Sequence, residues 1–428
     1  MAQKYKQLHF VTLQSLVNWS VAHLINRDLG FTKKFPFARI GDVITRSTLL
    51  IHVEDDVLYK QVTVKTNGGG AVLRNKNLEL GKNIGTKTQY LAREGQFIMS
   101  KIDARNGAFG IITNEIDSAI VTNDFPLFDV NTKLVHPFYL YLLSTTKPFI
   151  QYAQSCSRGT TNRQRIDVDS FLSQKIPLPS LAEQNKIIAA YNATIAQAKQ
   201  YSTQAKDIDK QIEKYLNISL GIEESSVKKH ESGKLYFMSS NQLTRWDVWN
   251  VSANGYSKKY PLHYLHNVIT MQSGKFLPSK AQKGGEYNVY GGNGLTGTHN
   301  EFCFTGKRIV IGRVGEYCGN VHLIDGNYWI TDNALKVDKI ADEVTWDFLA
   351  IALQALNINQ YRSISAQPSI SQTKILQLQI PIPPLYTQNE IVEHITRLRK
   401  KQKDLQQKSL TLRQQATQQF EQTIFSVI

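Results

Sequence analysis

The 428-residue chain is 41% apolar and 20% charged, an ordinary balance for folded domains, and is long enough for two or three separate cores. Its 50 Lys and Arg against 35 Asp and Glu give a formal charge of +15, for which a polyanion is the natural partner and a generally basic surface with no nucleic-acid role the alternative. No apolar run reaches the roughly 18 residues a bilayer requires. The first residues lack a signal-peptide pattern. The widely spaced Cys156, Cys303 and Cys318 suit neither a disulfide framework nor a cysteine zinc site, so no membrane association and a cytoplasmic location are expected.

Residues 1–175 carry 22 Lys/Arg against 14 Asp/Glu, a concentration of positive charge expected of a first globular domain. Runs such as Asp56–Lys65, Gln96–Met99 and Gly110–Ile112 read as strands, divided by Gly and Asn turns. Asn67-Gly-Gly-Gly70 reads first as a flexible turn and second as a DNA contact. A short helix is expected at Pro137–Leu143. The stretch Ser157–Arg165 sets Arg158, Arg163 and Arg165 among Thr160, Thr161, Asn162 and Gln164. Arg pairs bidentately with guanine, and Asn or Gln with adenine, so this is recognition chemistry or else a solvated loop.

At Ile176 a twelve-residue stretch begins that returns 204 positions later: Ile176-Pro-Leu-Pro-Ser-Leu-Ala-Glu-Gln-Asn-Lys-Ile187 and Ile380-Pro-Ile-Pro-Pro-Leu-Tyr-Thr-Gln-Asn-Glu-Ile391, with seven identities and no gap. A 204-residue period is too long for a solenoid and indicates a duplicated domain-sized unit. Each copy opens a segment without internal proline. The paired prolines hold an extended lead-in, and the helix starts after them. The first helix presents Ile187, Tyr191, Thr194, Ala198, Tyr201, Ala205, Ile208, Ile212 and Tyr215 at alternating steps of four and three. The second presents Ile391, Ile395, Leu398, Gln402, Leu405, Ser409, Leu412, Ala416 and Gln419. Heptad seams of this kind pack lengthwise, antiparallel here, and about 40 residues at ~1.5 Å each make a rod of roughly 60 Å. The small residues Ala198, Ala205, Ser409 and Ala416 permit close approach.

The chain thus divides into a domain at 1–175, a helical segment at 176–225, a second domain at 226–380 and a second helical segment at 381–428. The second domain holds 16 Lys/Arg against 11 Asp/Glu, with strands expected at Arg308–Ile311 and Asn320–Ile324 and a helix at Trp346–Leu356. It echoes the first. Lys33-Lys-Phe-Pro36 and Val43-Ile-Thr45 are answered by Lys258-Lys-Tyr-Pro261 and Val268-Ile-Thr270. Arg105-Asn-Gly107 is answered by Arg313-Val-Gly315, and Thr122-Asn-Asp124 by Thr331-Asp-Asn333. For Arg105 and Arg313, placed at matching positions, phosphate contact, base contact and a structural ion pair are all open. The Gly-rich Tyr290–Gly297 is a tight loop between strands, a loop approaching DNA, or a phosphate cradle. The further polar candidates for a DNA surface are Lys87, Lys101 and Asn106 in the first domain. In the second they are Asn293, Thr296 and His299, with Ser365, Gln367 and Ser369 from the stretch that answers Ser157–Arg165.

No catalytic motif is present: neither the Asn-Pro-Pro-aromatic tetrapeptide of adenine methyltransferases, nor a Walker loop, a His-Glu-x-x-His, a Gly-x-Ser-x-Gly or a nuclease carboxylate cluster. The repeated Ile-Pro-x-Pro-x-Leu-x-x-Gln-Asn-x-Ile resembles the specificity subunit of bacterial type I restriction–modification systems. So, in order, do Arg245-Trp-Asp247, Tyr290-Gly-Gly-Asn-Gly294, Ile311-Gly-Arg-Val-Gly315, Cys318-Gly-Asn-Val321 and Thr331-Asp-Asn-Ala334. The first domain departs from that pattern, with Asn18-Trp-Ser20 for Arg-Trp-Asp and no counterpart of Tyr290–Gly294. The resemblance implies two mixed α/β target recognition domains joined by two long antiparallel coiled-coil helices, an internal pseudo-two-fold duplication. Each domain would read half of a bipartite site in double-stranded DNA, and the helices would set the spacer. It implies a non-catalytic chain that binds no cofactor or metal. Two modification subunits would methylate adenine N6 with S-adenosylmethionine, and restriction subunits would translocate and cleave with ATP and Mg. The contrasting readings are a stand-alone restriction or methylation enzyme and a structural coiled-coil protein with basic lobes.

Overall fold

The computed structural model describes residues 29–158, 164–222, 257–282, 284–363 and 367–425. Thr160, Thr161, Asn162, Arg163 and Ser365, and the Asn18 and Arg245 motifs, lie outside the described residues. The chain separates into two units, one of residues 1–200 with 408–428, the other of Tyr201–Gln407. Both long helices therefore divide near their middles, one half going to each unit.

Each unit is built on the same four-stranded antiparallel sheet. In the first, the order is Phe109–Ile111, Phe97–Met99, Leu127–Val130, Ile44–Arg46. In the second it is Val321–Ile324, Arg308–Gly312, Ala334–Ile340, Ile269–Ser273. Helices Pro137–Ser144 and Trp346–Ala355 fall where expected and supply buried apolar residues to the two cores. A mixed α/β architecture, written twice, is the result.

The two units differ in their second sheets. The first has a three-stranded sheet of Leu50–His52, Thr88–Leu91 and Ile120–Val121. The second has Gly294–His299, Tyr287–Gly291, Asn327–Ile330 and Phe304–Thr305, including one parallel pairing. The run Asp56–Lys65, expected as one strand, is two. Leu58–Tyr59 pairs with Glu79–Leu80 and Val62–Lys65 with Gly70–Leu73, so different partners break the run between them. Nor is Asn67–Gly70 a loose turn. Asn67 N–H donates to Asn106 O at 2.9 Å, and Tyr141 Oη donates to Gly68 O at 2.7 Å.

The twelve-residue repeat has a physical reading. Its Ile-Pro closes each domain: Lys175–Pro177 pairs with Phe37–Arg39, and Gln379–Pro381 with Leu262–Tyr264, with Ile176 and Ile380 buried. Its Leu begins a 40-residue helix in both copies, Leu181–Leu220 and Leu385–Ile424. Its Gln, fully buried at 184 and 388, clamps the helix start to the domain. Gln184 Oε1 accepts from His136 N–H at 2.7 Å, and its Nε2 donates to Leu134 O and Pro179 O. Gln388 repeats this with Thr345 N–H at 2.9 Å, Glu343 O and Pro383 O. His136 and Thr345 are the N-cap residues of the two short helices, so one amide side chain locks two helix starts together.

The long helices run antiparallel in both units. In the first, Ser409 Oγ donates to Ala198 O at 2.7 Å. In the second, Gln402 Nε2 donates to Ala205 O at 3.1 Å and to Asp209 at 2.7 Å, beside a cluster of Ala205, Ile208 and Leu405. Ala198, Ala205, Ser409 and Ala416 are all buried, as their size suggested. Gln419, expected on the seam, is exposed, and Phe420 and Ile424 are buried in its place, as are Leu216 and Leu220 on the first helix. A straight helix drifts off a strict 3.5 repeat, and at these ends the apolar partner is a domain core, not a second helix. Replacing Ala198 by leucine is expected to cost about 1–3 kcal/mol by overpacking, whereas the same change at exposed Ala190 is expected to be neutral. Denaturant unfolding of the two variants checks this.

Candidate nucleic-acid interface

In each domain a basic residue is held by the same pair of backbone hydrogen bonds. Lys101 N–H donates to Asp124 O at 2.8 Å, and Lys101 O accepts from Ile166 N–H at 2.8 Å. Arg313 N–H donates to Asn333 O at 3.0 Å, and Arg313 O accepts from Ile370 N–H at 2.9 Å. The preceding residues match too: Ser100 N–H donates to Ala108 O, and Gly312 N–H to Asn320 O. Lys101, not Arg105, is therefore the counterpart of Arg313. Arg105 lies further along, in the 3₁₀ turn Ala104–Asn106, with Nη1 donating to Gln164 Oε1 at 3.1 Å.

The side chains around the matched position differ between the domains. Lys101 Nζ donates to Asn123 Oδ1 at 3.2 Å, and Arg46 Nη2 donates to the same oxygen at 2.7 Å. Arg165 holds Asp124 through Nε and Nη2 at 3.2 and 3.3 Å. Partial burial, then repulsion from Arg46, pulls the Lys101 ammonium below the usual lysine range. In the second domain the exposed Arg313 donates from Nη1 to Ser273 Oγ at 3.1 Å.

The Gly-rich Tyr290–Gly297 is a hairpin turn. Gly291 pairs with Gly294, and the tip packs against the loop that carries Arg313. A Cβ on Gly292 would lie 2.9 Å from Val314 O and 3.1 Å from Asn333 O, so only glycine permits the approach. Asn293 is thereby exposed beside Arg313's loop. Gln367 is exposed on the neighbouring segment. Ser369 is tied to it through a bridge to Val314 and a hydroxyl contact with Ser363 at 3.2 Å.

Other sequence candidates are placed in structural roles. Lys87 Nζ pairs with Asp55 at 2.6 Å, holding that carboxyl below its usual range, and also donates to Gly81 O. Thr296 Oγ1 donates to Val289 O across the hairpin, and His299 is buried edge-on to Trp329. Asn106 is exposed, its carbonyl accepting from Asn67. Arg158 pairs with Arg165 in a two-stranded ribbon. Sequence reasoning passed over Arg46, Asn123, Ser273 and Asn333. Its signal was present, since the Thr122–Asp124 and Thr331–Asn333 echoes carry two of them and Arg46 directly follows the Val43–Thr45 echo. Among the described residues no group of His, Cys, Asp and Glu has metal-binding geometry, and no helix is long and apolar enough to cross a membrane.

Two stretches, 33–214 and 257–412, match the family model described as the type I restriction modification DNA specificity domain. The chain belongs to this family. Each matched stretch contains one copy of the shared four-stranded antiparallel sheet and most of the long helix that follows it. Over 251 residues the chain is 27% identical to the type I restriction enzyme EcoprrI specificity subunit of Escherichia coli, covering 55% of each protein. Over 127 residues it is 30% identical to the type I restriction enzyme HindI specificity subunit of Haemophilus influenzae, covering 28% of this chain and 27% of that one. The match thus spans about half the length of the first curated relative and a quarter of the second. A solved structure reported for complex assembly and conformational transition of the type I R-M system has the same fold. Its TM-score is 0.56 at 16% identity, over 92% of this chain and 98% of that one.

Proposed function

We propose that this chain selects the DNA sequence for a type I restriction–modification complex. Each specificity domain reads one half of a bipartite site in double-stranded DNA, and the paired helices set the unread gap. The reading is supported above all by the repetition, within one chain, of a specificity domain with a basic residue at the same backbone-held position. Positive charge supplies sequence-independent affinity, and side chains around Lys101 and Arg313 supply base contacts. Methyl transfer from S-adenosylmethionine to adenine N6 is assigned to two modification subunits. ATP- and Mg-dependent translocation and cleavage are assigned to restriction subunits. This chain holds no cofactor and acts in the cytoplasm.

The test is to co-express the chain with its modification subunit and map methyladenine across the host DNA. Two short specific blocks around a fixed gap are expected. An assembled complex that adds no methylation would sink the proposal. A heptad inserted in the 187–215 region alone is expected to break the helix pairing. Matched heptads in both helices, about 10 Å of added rise, are expected to lengthen the gap by about three base pairs. Methylation mapping of the insertion variants measures the gap directly.

A further inference from the structure

We infer that Arg46 and Lys101 form a donor-only reading head and that the half-site read by the first domain contains guanine at the base they meet. The inference rests on the DNA-reading role proposed above and goes further, because it assigns base identity from hydrogen-bond polarity. Among the described residues two side-chain acceptors adjoin this pair, the Asn123 oxygen, which the pair saturates, and the Asp124 carboxylate, which Arg165 holds in place. Asn123 Oδ1 takes Arg46 at 2.7 Å and Lys101 at 3.2 Å, and the Asp124 carboxylate takes Arg165 through two nitrogens. Asn123 therefore cannot make the acceptor-plus-donor pair that reads adenine, since its oxygen is saturated from within the domain. Arg46 and Lys101 carry no acceptor of their own, so what this pair offers beyond Asn123 is N–H groups alone: the remaining nitrogens of Arg46 and the remaining ammonium hydrogens of Lys101. In the major groove guanine is the base that offers two acceptors side by side, O6 and N7, and no donor. The internal contacts also restrict where these long side chains point, which favours a base edge over a wandering phosphate contact. The matched position of the second domain differs. Arg313 leans on a serine hydroxyl, and Asn293 is exposed on the adjoining hairpin, so a paired arginine and lysine sharing one amide oxygen is particular to the first domain among the described residues.

The experiment is selection of bound duplexes from a random pool by the full chain, comparing wild type with Arg46→Gln, Lys101→Met and Arg313→Met. Arg46 is exposed and Lys101 half-buried, so neither substitution removes a core residue. Wild type should enrich a split motif with guanine in one block. Arg46→Gln should lower that guanine preference roughly ten-fold or more and admit adenine, because glutamine restores an acceptor. Lys101→Met should weaken the same position, and Arg313→Met should alter only the other block. A split motif whose first block lacks guanine, or keeps it unchanged in both variants, overturns the inference alone. So does uniform weakening at every position with a shallower salt dependence, which would assign both residues to phosphates. A pool with no enriched motif overturns the DNA-reading role and the inference with it.

Discussion

Gly312→Ala is expected to unseat the Gly-rich hairpin and destabilise the second domain by roughly 3 kcal/mol, the upper end of overpacking costs. A Cβ at this position would fall on the carbonyl oxygen of Gly292 and lie 2.8 Å from Tyr317 O. Both neighbours are backbone, so no rotamer change relieves the collision. Gly312 also precedes Arg313, and the displacement would carry that side chain out of place. Hydrogen exchange should show lost protection over 287–299 and 308–324 while the first domain keeps its own. Recognition of one half-site should fail with the other intact. The matched Ser100 provides the control. It already carries a Cβ, and its hydroxyl accepts from Asp103 N–H at 3.1 Å, so Ser100→Ala should cost about 1 kcal/mol. Unchanged exchange in Gly312→Ala would mean the hairpin is not wedged as described.

The second large effect is expected at the buried glutamines. Removing the Gln184 or Gln388 side chain leaves one N–H and two carbonyl groups without their partner in buried or partly buried surroundings. At about 1–3 kcal/mol for a stranded group, partly relieved by water, Gln→Ala should cost ~3 kcal/mol at either site. For units of this size that corresponds to a fall of roughly 10 °C in Tm. Gln→Glu is the more telling variant. It keeps the shape and the acceptor, but a carboxylate cannot donate to Leu134 O and Pro179 O, or to Glu343 O and Pro383 O. It should therefore be as damaging as alanine. Thermal unfolding that leaves the glutamate variants at the wild-type temperature would show that donation from Nε2 contributes little.

Lys101 shows how far sequence comparison of the two halves could go. The Arg105-Asn-Gly and Arg313-Val-Gly motifs align by eye, yet the backbone ladder matches Arg313 with Lys101. The loops between shared elements differ in length, so the offset between equivalent residues runs from 204 at Ile166 and Ile370 to 212 at Lys101 and Arg313. A three-residue motif cannot track a changing offset, whereas hydrogen-bonded register can. Gln184 and Gln388 are the converse case. They stood in plain sight as identities of the repeat, but their role depends on carbonyls of residues 134 and 343, some 50 and 45 positions upstream.

The sequence by itself determined the duplication, the antiparallel helix pairing with its small-residue contacts, the mixed α/β class and the family. Each is written locally, as a repeat, a heptad period, a strand–turn pattern or a motif order. Tertiary structure alone decided which basic residues are equivalent and where the helix seams give way to domain cores at Leu216 and Phe420. It also decided that the Asn123 oxygen is occupied by Arg46 and Lys101. Those outcomes depend on which groups meet across 20 to 200 residues of chain, and hydrogen-bond saturation and close packing are set only when they meet.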